Sequence, residues 1–385
     1  MKVRRLLTMG HSYVVALNRR LAHEMARAGG GAWEVTAVAP TFVHGDLRPI
    51  ELEPHPGEAC RLEPVRAYLS RRVHVMAYGR RARALFRDRW DLVHCWAEPY
   101  TFSGFQVARW TPAGVPFVFW TAQNLVKRYP PPFGWMERSV LRRANGWLAC
   151  GQTTVEAQLG RGYGDKPYRV MPLGVDLDMF RPDPASGAAV RRQLGWEPDG
   201  PPVVGYLGRF VAEKGFPLLT RALDAVAAPW RALFVGGGPL EGELRAWGQK
   251  HGDRVRVVTG VAHDQVPAHL AAMDVLAAPS QTTPRWKEQL GRMLLEAFAC
   301  GVAVVGSDSG EIPHVIGDAG RVVPESDERA WTTALAELIE NRAARAELAE
   351  RGLGRVRAVF AWPVIAGQHL AFFDELIDRA GAERG

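Results

Sequence analysis

One pattern limits the fold more than any other. Short runs rich in β-branched and aromatic residues alternate with helical periodicity, and the alternation begins again half-way along the chain. Residues 3–8, 34–38, 91–95, 116–120, 146–150 and 169–171 read as strands in the first half, and 203–207, 232–235, 255–258, 275–277 and 302–305 in the second. Such runs, separated by helix-length segments, form parallel sheets covered by helices. Behind the first strand, Val14, Leu17, Leu21 and Met25 recur at three- and four-residue spacing as one apolar helix face, with Ser12 as the expected N-cap. Between the halves, Phe180-Arg181-Pro182-Asp183-Pro184-Ala185-Ser186-Gly187 places a hinge within residues 172–200. In the tail, Val364, Leu370, Phe373 and Leu376 fit one packed helical face. The expectation is an α/β chain of two doubly wound domains, 1–178 and 179–362, with a final helix over 363–385 packing back on the first. Two such halves joined by a hinge imply a cleft, where ligands tend to bind.

Composition excludes several alternatives. The 385 residues suit two domains, and 47% hydrophobic with 23% charged residues is ordinary for a globular chain. No stretch approaches the ~20 apolar residues of a membrane span. Met1-Lys2-Val3-Arg4-Arg5-Leu6-Leu7 has charge without a long apolar run behind it, so no signal peptide is expected. Cys60, Cys95, Cys150 and Cys300 are too scattered for a disulfide framework or a zinc site, which suits a cytoplasmic location.

Charge is uneven. Residues 1–180 hold 25 Lys and Arg against 15 Asp and Glu, whereas residues 181–385 hold 23 against 26. The first half should therefore meet something anionic: a phospholipid surface, a phosphorylated acceptor or nucleic acid. No zinc-finger, RRM or KH pattern supports nucleic acid. The basic segment 70–90 interleaves arginines with Val73, Met76, Leu85, Phe86 and Trp90. It reads either as a helix lying peripherally on the anionic inner membrane face or as a solvated helix covering one sheet face.

Three stretches of the second half could carry chemistry. Leu290, Met293, Leu294, Ala297 and Phe298 trace an amphipathic helix ending at Gly301. On that helix Glu288 and Glu296 would stand about 12 Å apart along the axis. They could contact opposite ends of one elongated ligand, with the amides at Gln289 to Arg292 facing an anion, or they could be two solvated glutamates. Gly208-Arg209-Phe210-Val211-Ala212-Glu213-Lys214-Gly215 follows a strand and suits a phosphate cradle, or is a turn with surface charges. Val235-Gly236-Gly237-Gly238-Pro239 lets a backbone or a flat ring approach, or is a plain tight turn.

Taken in order, these stretches resemble the family 4 glycosyltransferases of GT-B fold. The likeness runs from Gly205-Tyr206-Leu207-Gly208-Arg209 and Glu213-Lys214-Gly215 through Phe234 to Pro239, Met273-Asp274-Val275 and Glu288 to Gly301. It continues through Gly306-Ser307-Asp308-Ser309-Gly310-Glu311-Ile312-Pro313. The pair Glu288 and Glu296, with seven residues between them, is the family's donor-site signature. The resemblance implies two Rossmann-like domains facing each other across a cleft. It implies that Arg209 and Lys214, with Gly208, neutralise a donor diphosphate, that Glu296 bonds the ribose hydroxyls, and that Glu288 meets the donor sugar. Gln289, Leu290 and Gly291 would hold sugar or phosphate oxygens, and Gly236, Gly237 and Val261 would flank the base.

In the first half the resemblance implies that Gly10 brings backbone near the diphosphate, the usual glycine run being reduced here to Gly10-His11-Ser12. Gln123 stands where many relatives carry a histidine near the reacting centre, and would position rather than relay a proton. His11, His94, Glu98, Asn124 and Lys127 are the acceptor-side candidates, although His94 also reads as a core histidine and Glu98 as a loop charge. The implied activity is retaining transfer of a hexose from a UDP-sugar or GDP-mannose to a hydroxyl of a saccharide, lipid-linked or small-molecule acceptor. Arg209, Lys214, Glu288 and Gln123 would be the catalytic set, with no metal and no resident cofactor. The alternatives are a sugar-nucleotide epimerase or hydrolase of the same fold, or a non-catalytic protein binding an anionic ligand.

Overall fold

The computed structural model describes residues 3–45, 49–55 and 57–382. The chain divides into two compact units. One runs to Pro172 and takes up again at Trp362, and the other is Leu173–Ala361.

In the first unit, β1 (Arg4–Met9), β2 (Trp33–Pro40), β3 (Arg61–Val65), β4 (Leu92–Cys95), β5 (Phe117–Thr121), β6 (Gly146–Ala149) and β7 (Tyr168–Val170) form one parallel sheet in the order β7-β6-β5-β4-β1-β2-β3. Strands β1, β2, β4 and β6 bury nearly every side chain, because helices cover both faces. The fully buried Trp147, Phe117 and Phe119 anchor the core between sheet and helices. Helix α1 (Ala16–Ala28) buries Leu21, Ala22 and Met25 and packs against α2 (Trp362–Ala382). Leu370, Phe373 and Leu376 of α2 are buried as the tail pattern implies, and Ile365, Ala366 and His369 join them. Arg4 pairs with Asp374 and Asp378, which ties α2 to the first strand. The last three residues of the expected 363–385 helix, and Met1 and Lys2, lie outside the described residues.

The second unit repeats the plan. Here β8 (Val203–Arg209), β9 (Arg231–Gly237), β10 (Val255–Val258), β11 (Val275–Ala278), β12 (Ala303–Ser307) and β13 (Arg321–Val323) run in parallel in the order β10-β9-β8-β11-β12-β13. Trp230, Trp331, Tyr206 and Phe234 fill its core. In both sheets the strand order grows outward in two directions from the unit's first strand, the doubly wound arrangement.

Two expectations are corrected. Ser12 does not cap α1. It lies in a short 3-10 turn, His11–Val14, and the helix starts at Ala16 with Val15 at the cap. Segment 70–90 is not one helix. It breaks into a 3-10 turn (Val73–Val75), a strand (Ala77–Tyr78), a five-residue helix (Arg80–Ala84) and a second 3-10 turn (Leu85–Arg87). Met76, Tyr78, Ala82, Phe86 and Trp90 all point into the core, so the segment's main apolar side is used by packing. No described helix is long and apolar enough to cross a membrane.

Candidate functional site

Ligands of doubly wound sheets bind beyond the carboxyl ends of the strands, where neighbouring loops leave in opposite directions. In the second unit that point lies between β8 and β11, paired through Val204 with Val275 and Gly205 with Leu276. The end of β8 is pinned by the Tyr206 hydroxyl, which donates to the Arg209 carbonyl at 2.8 Å, and by the Phe210 amide, which donates to the Gly237 carbonyl at 2.9 Å. Gly236 has φ +153°, and a Cβ there would overlap the Gly208 carbonyl. Gly236 thus serves the close approach of two strand ends. Gly237 is different, since nothing lies within 4 Å of where its Cβ would be. Arg209, next to it in register, is exposed, and its side chain has no hydrogen bond or ion pair among the described residues.

The loops after β8 and β11 meet in a polar cluster. Lys214 Nζ lies 2.5 Å from Glu288 Oε2, and the Ser280 hydroxyl donates to the same oxygen at 2.9 Å. Both charged side chains are largely buried, at 12% and 9% exposure. The ammonium also sits 5.0 Å from the centre of the Trp286 ring. The backbone of Glu288 is fixed as well: its carbonyl accepts from the Glu311 amide at 3.0 Å, and Gly310, at φ +56°, packs directly on it. Any larger residue at 310 would push Glu288 away from Lys214.

The helix after this loop begins later than its apolar spacing implies. Helix α3 is Arg292–Ala299, with Gly291 in the left-handed conformation at its cap and the Leu294 amide bonding back to the Gly291 carbonyl at 2.9 Å. Glu288, Gln289 and Leu290 are therefore loop residues, and the 12 Å axial separation from Glu296 does not apply. The unpaired amides of the first turn begin at Arg292, not at Gln289. Glu296 does lie on the helix, with its side chain 12% exposed and Arg292 Nε 4.0 Å away. Burial raises its carboxyl to about 7, and the Arg292 charge offsets this only in part. Gln289 is exposed and Leu290 buried. Val261 is half-buried, three residues beyond β10 at the same sheet edge.

The first unit has its own switch between β1 and β4. There the Trp96 amide donates to the Met9 carbonyl at 2.8 Å, and a Cβ on Gly10 would come within 2.9 Å of Trp96. The Gly10 amide points to the Val38 carbonyl at 3.4 Å. His11 is half-buried with an unpartnered Nδ1, and burial lowers its pKa to about 4, so it is neutral. His94 has no exposed surface; its Nδ1 meets Thr8 Oγ1 at 3.0 Å, and its ring packs against Trp96, His369 and Phe373. This is a core position, and burial holds the ring neutral.

Glu98, just past β4, accepts from the Thr121 hydroxyl at 2.5 Å and from the Ala122 amide at 2.8 Å, so it clamps the end of β5. Burial raises its carboxyl to about 7 despite those two bonds. Gln123 is buried and fully engaged: its amide donates to the Tyr129 hydroxyl at 3.1 Å, and its side-chain oxygen accepts from the Leu125 amide at 3.1 Å. Tyr129 stacks on Tyr100 at 4.1 Å and lies under Arg161, which pairs with Glu137 at 2.5 Å. Asn124 is buried and Lys127 half-buried on the same loop.

Both units match models of known protein families. Residues 14–179 match the model of Glycosyltransferase Family 4, and residues 201–341 that of Glycosyl transferases group 1. The chain belongs to the family 4 glycosyltransferases.

Among relatives, the chain is 40% identical over 178 residues to a GDP-mannose-dependent alpha-(1-6)-phosphatidylinositol monomannoside mannosyltransferase of Mycolicibacterium smegmatis. That match takes in 44% of this chain and 46% of the relative, so it spans about half of the mycobacterial protein. A lipopolysaccharide core biosynthesis mannosyltransferase of Rhizobium meliloti is 27% identical over 375 residues, covering 89% of this chain and 98% of the relative. A sucrose-phosphate synthase of Thermosynechococcus elongatus superposes with a TM-score of 0.73 over 98% of this chain and 100% of that one, at 21% identity. The fold of this family 4 glycosyltransferase is GT-B, with two Rossmann-like sheets.

Of the residues that the family likeness points to, the second unit of this glycosyltransferase gathers Lys214 and Glu288 in direct contact and sets Arg209, Gly208, Gly236 and Gly237 at one sheet edge. Sequence reasoning missed Ser280 and Trp286, which have no motif of their own. It also missed the Glu137–Arg161 pair beneath Tyr129, whose only trace is a buried glutamate in an otherwise apolar helix face.

Proposed function

We propose that this glycosyltransferase moves a hexose, mannose in the first place, from a nucleotide-diphosphate sugar to an acceptor hydroxyl with retention of configuration. The observation that carries the reading is the contact of Lys214 with Glu288 and Ser280 at the switch point of the second sheet. A diphosphate entering beside the exposed Arg209 would draw Lys214 toward itself, leaving Glu288 to accept hydroxyls of the sugar. Glu296, whose carboxylate has no hydrogen bond among the described residues and only Arg292 at 4.0 Å as an ion-pair partner, would accept the paired ribose hydroxyls. Mannose and GDP are favoured because both relatives named above are mannosyltransferases and one is named as GDP-mannose-dependent.

No close carboxylate pair of the kind that forms a covalent glycosyl intermediate is invoked. The bond between the anomeric carbon and the diphosphate oxygen lengthens first, and Arg209, Lys214 and the first amides of α3 stabilise the charge that develops on the leaving group. The acceptor oxygen attacks from the same face, and its proton passes to the departing diphosphate oxygen. Glu98, Gln123, Asn124 and Lys127 belong to the acceptor side, with Gln123 positioning the loop rather than moving a proton. Two cationic side chains supply the neutralisation that a divalent ion gives other transferases, so transfer should proceed without one.

The test is a donor screen followed by a transfer assay. GDP-mannose should raise the melting temperature more than UDP-glucose does, and nucleotide should appear only when an acceptor is present. Nucleotide release at the same rate without acceptor would instead favour a hydrolase, and activity lost to chelator and restored by Mg²⁺ would overturn metal-independent transfer.

A further inference from the structure

We propose that the first unit carries a separate anion site that takes a phosphate ester. A cavity of about 860 Å³ opens beside the carboxyl ends of β2 and β3, with Arg66, Arg80, Arg81, Tyr68, Tyr78 and Thr41 in its wall. A small hairpin assembles it. Ala67–Tyr68 pairs antiparallel with Ala77–Tyr78, and the Gly79 amide donates to the Arg66 carbonyl at 3.0 Å, so Arg66 is set beside the start of the Arg80–Ala84 turn.

Its charge is one-sided. Among the described residues, no carboxylate lines the cavity. Arg81 shares Glu63 with Arg61, at 3.6 Å from the Glu63 carboxylate. Arg66 and Arg80 have no side-chain hydrogen bond or ion pair among the described residues. Guanidinium groups collected round one hollow repel each other unless an anion joins them, and their planar forks match phosphate oxygens two at a time. The hollow is also too large for a bare phosphate and falls in the range of small-molecule sites. The Thr41 hydroxyl offers a neutral hydrogen bond, the buried Tyr78 ring forms a wall, and the half-exposed Tyr68 ring, at 54%, gives a face on which the organic part of an ester can lie. A phosphate monoester or diester fits this set, as a soluble metabolite or as a lipid headgroup. The inference does not depend on the transferase reading, because binding itself is measured.

Two probes with the same headgroup separate the sources: glycerol 3-phosphate in free solution, followed by calorimetry, and phosphatidylcholine vesicles doped with phosphatidic acid, followed by sedimentation. The variant Arg66→Gln/Arg80→Gln removes exposed side chains and should keep the wild-type melting temperature. The control Arg71→Gln/Arg72→Gln removes the same charge from exposed positions outside the cavity. The expected result is binding of at least one probe, weakened about tenfold or more by the first pair and by less than about twofold by the second. Binding of glycerol 3-phosphate marks a soluble ligand, and binding of the vesicles alone marks a headgroup. No binding of either probe at millimolar concentration, or equal losses in the two double variants, overturns the proposal.

Discussion

Lys214 and Glu288, 74 positions apart in sequence, hold each other at 2.5 Å with Ser280 as a third partner. The pair joins the loop after β8 to the loop after β11, so one contact sets the geometry of both.

Breaking that pair should cost both fold and function. Lys214→Ala leaves a largely buried carboxylate without its cation, which should lower stability by about 3 kcal/mol. Replacing both residues, Lys214→Met with Glu288→Gln, should recover much of that stability. Transfer should stay about 100-fold or more below wild type in either variant. Chemical denaturation and kcat/KM check the two halves; near-normal kcat/KM in Lys214→Ala would refute the assigned role.

Glu296 should make donor binding depend on pH. Its carboxyl titrates near 7, raised by burial, and only the ionised form accepts two ribose hydroxyls. Affinity for GDP-mannose, whose diphosphate diester has no group titrating near neutrality, should rise with pH through about 7 and level off above it. Glu296→Gln should bind more weakly and show a flat profile. The same raised pKa acts on the unliganded fold in the opposite sense. Its contribution to stability is complete below the ordinary value of 4.5 and is lost as pH rises to about 7.

Glu98→Gln should separate the two substrates. The amide oxygen can still accept from the Ala122 amide, but the NH₂ can only donate to the Thr121 hydroxyl, so the bond at 2.5 Å reverses and both contacts lose the strength that a carboxylate acceptor gives them. A stability loss of about 1–3 kcal/mol is expected, together with a raised acceptor KM and an unchanged donor KM. A change confined to the donor KM would count against placing Glu98 on the acceptor side.

Gly236 and Gly237 form a paired test. Gly236→Ala drives a Cβ into the Gly208 carbonyl at a left-handed φ and should destabilise by about 2 kcal/mol or more. Gly237→Ala meets nothing within 4 Å, so stability should stay within about 0.5 kcal/mol. If the base lies there, donor affinity should nevertheless fall, which a thermal titration with GDP would read.

The strands most legible in the sequence are those buried on both faces. Residues 203–207 and 275–277 are almost wholly apolar because helices cover both sides of the sheet, and the structure extends the first to Arg209 and the second to Ala278. β3 was not legible. It contains Arg61, Glu63 and Pro64, and it is tolerated because it lies at the sheet edge, where a proline need not donate. The site divides in the same way. Glu296 and the stop at Gly301 follow from helical spacing. The true start of α3 turns on Gly291 adopting a left-handed cap, which apolar spacing alone does not report. The clasp of Glu98 on Thr121 depends on two strands coming side by side, so it exists only in the folded register.

The chain leaves the first unit after Pro172 and returns to it at Trp362, and on its way the Val175 amide reaches back to the Phe360 carbonyl at 2.8 Å. Departure and return thus share one doorway, and everything between them is a cassette. A module held by a single stem can be exchanged for another with the same stem without reopening its host. It also means that the host is finished last: α2 emerges from the ribosome only after the whole insert, so the first unit waits for its final helix until the second has been made.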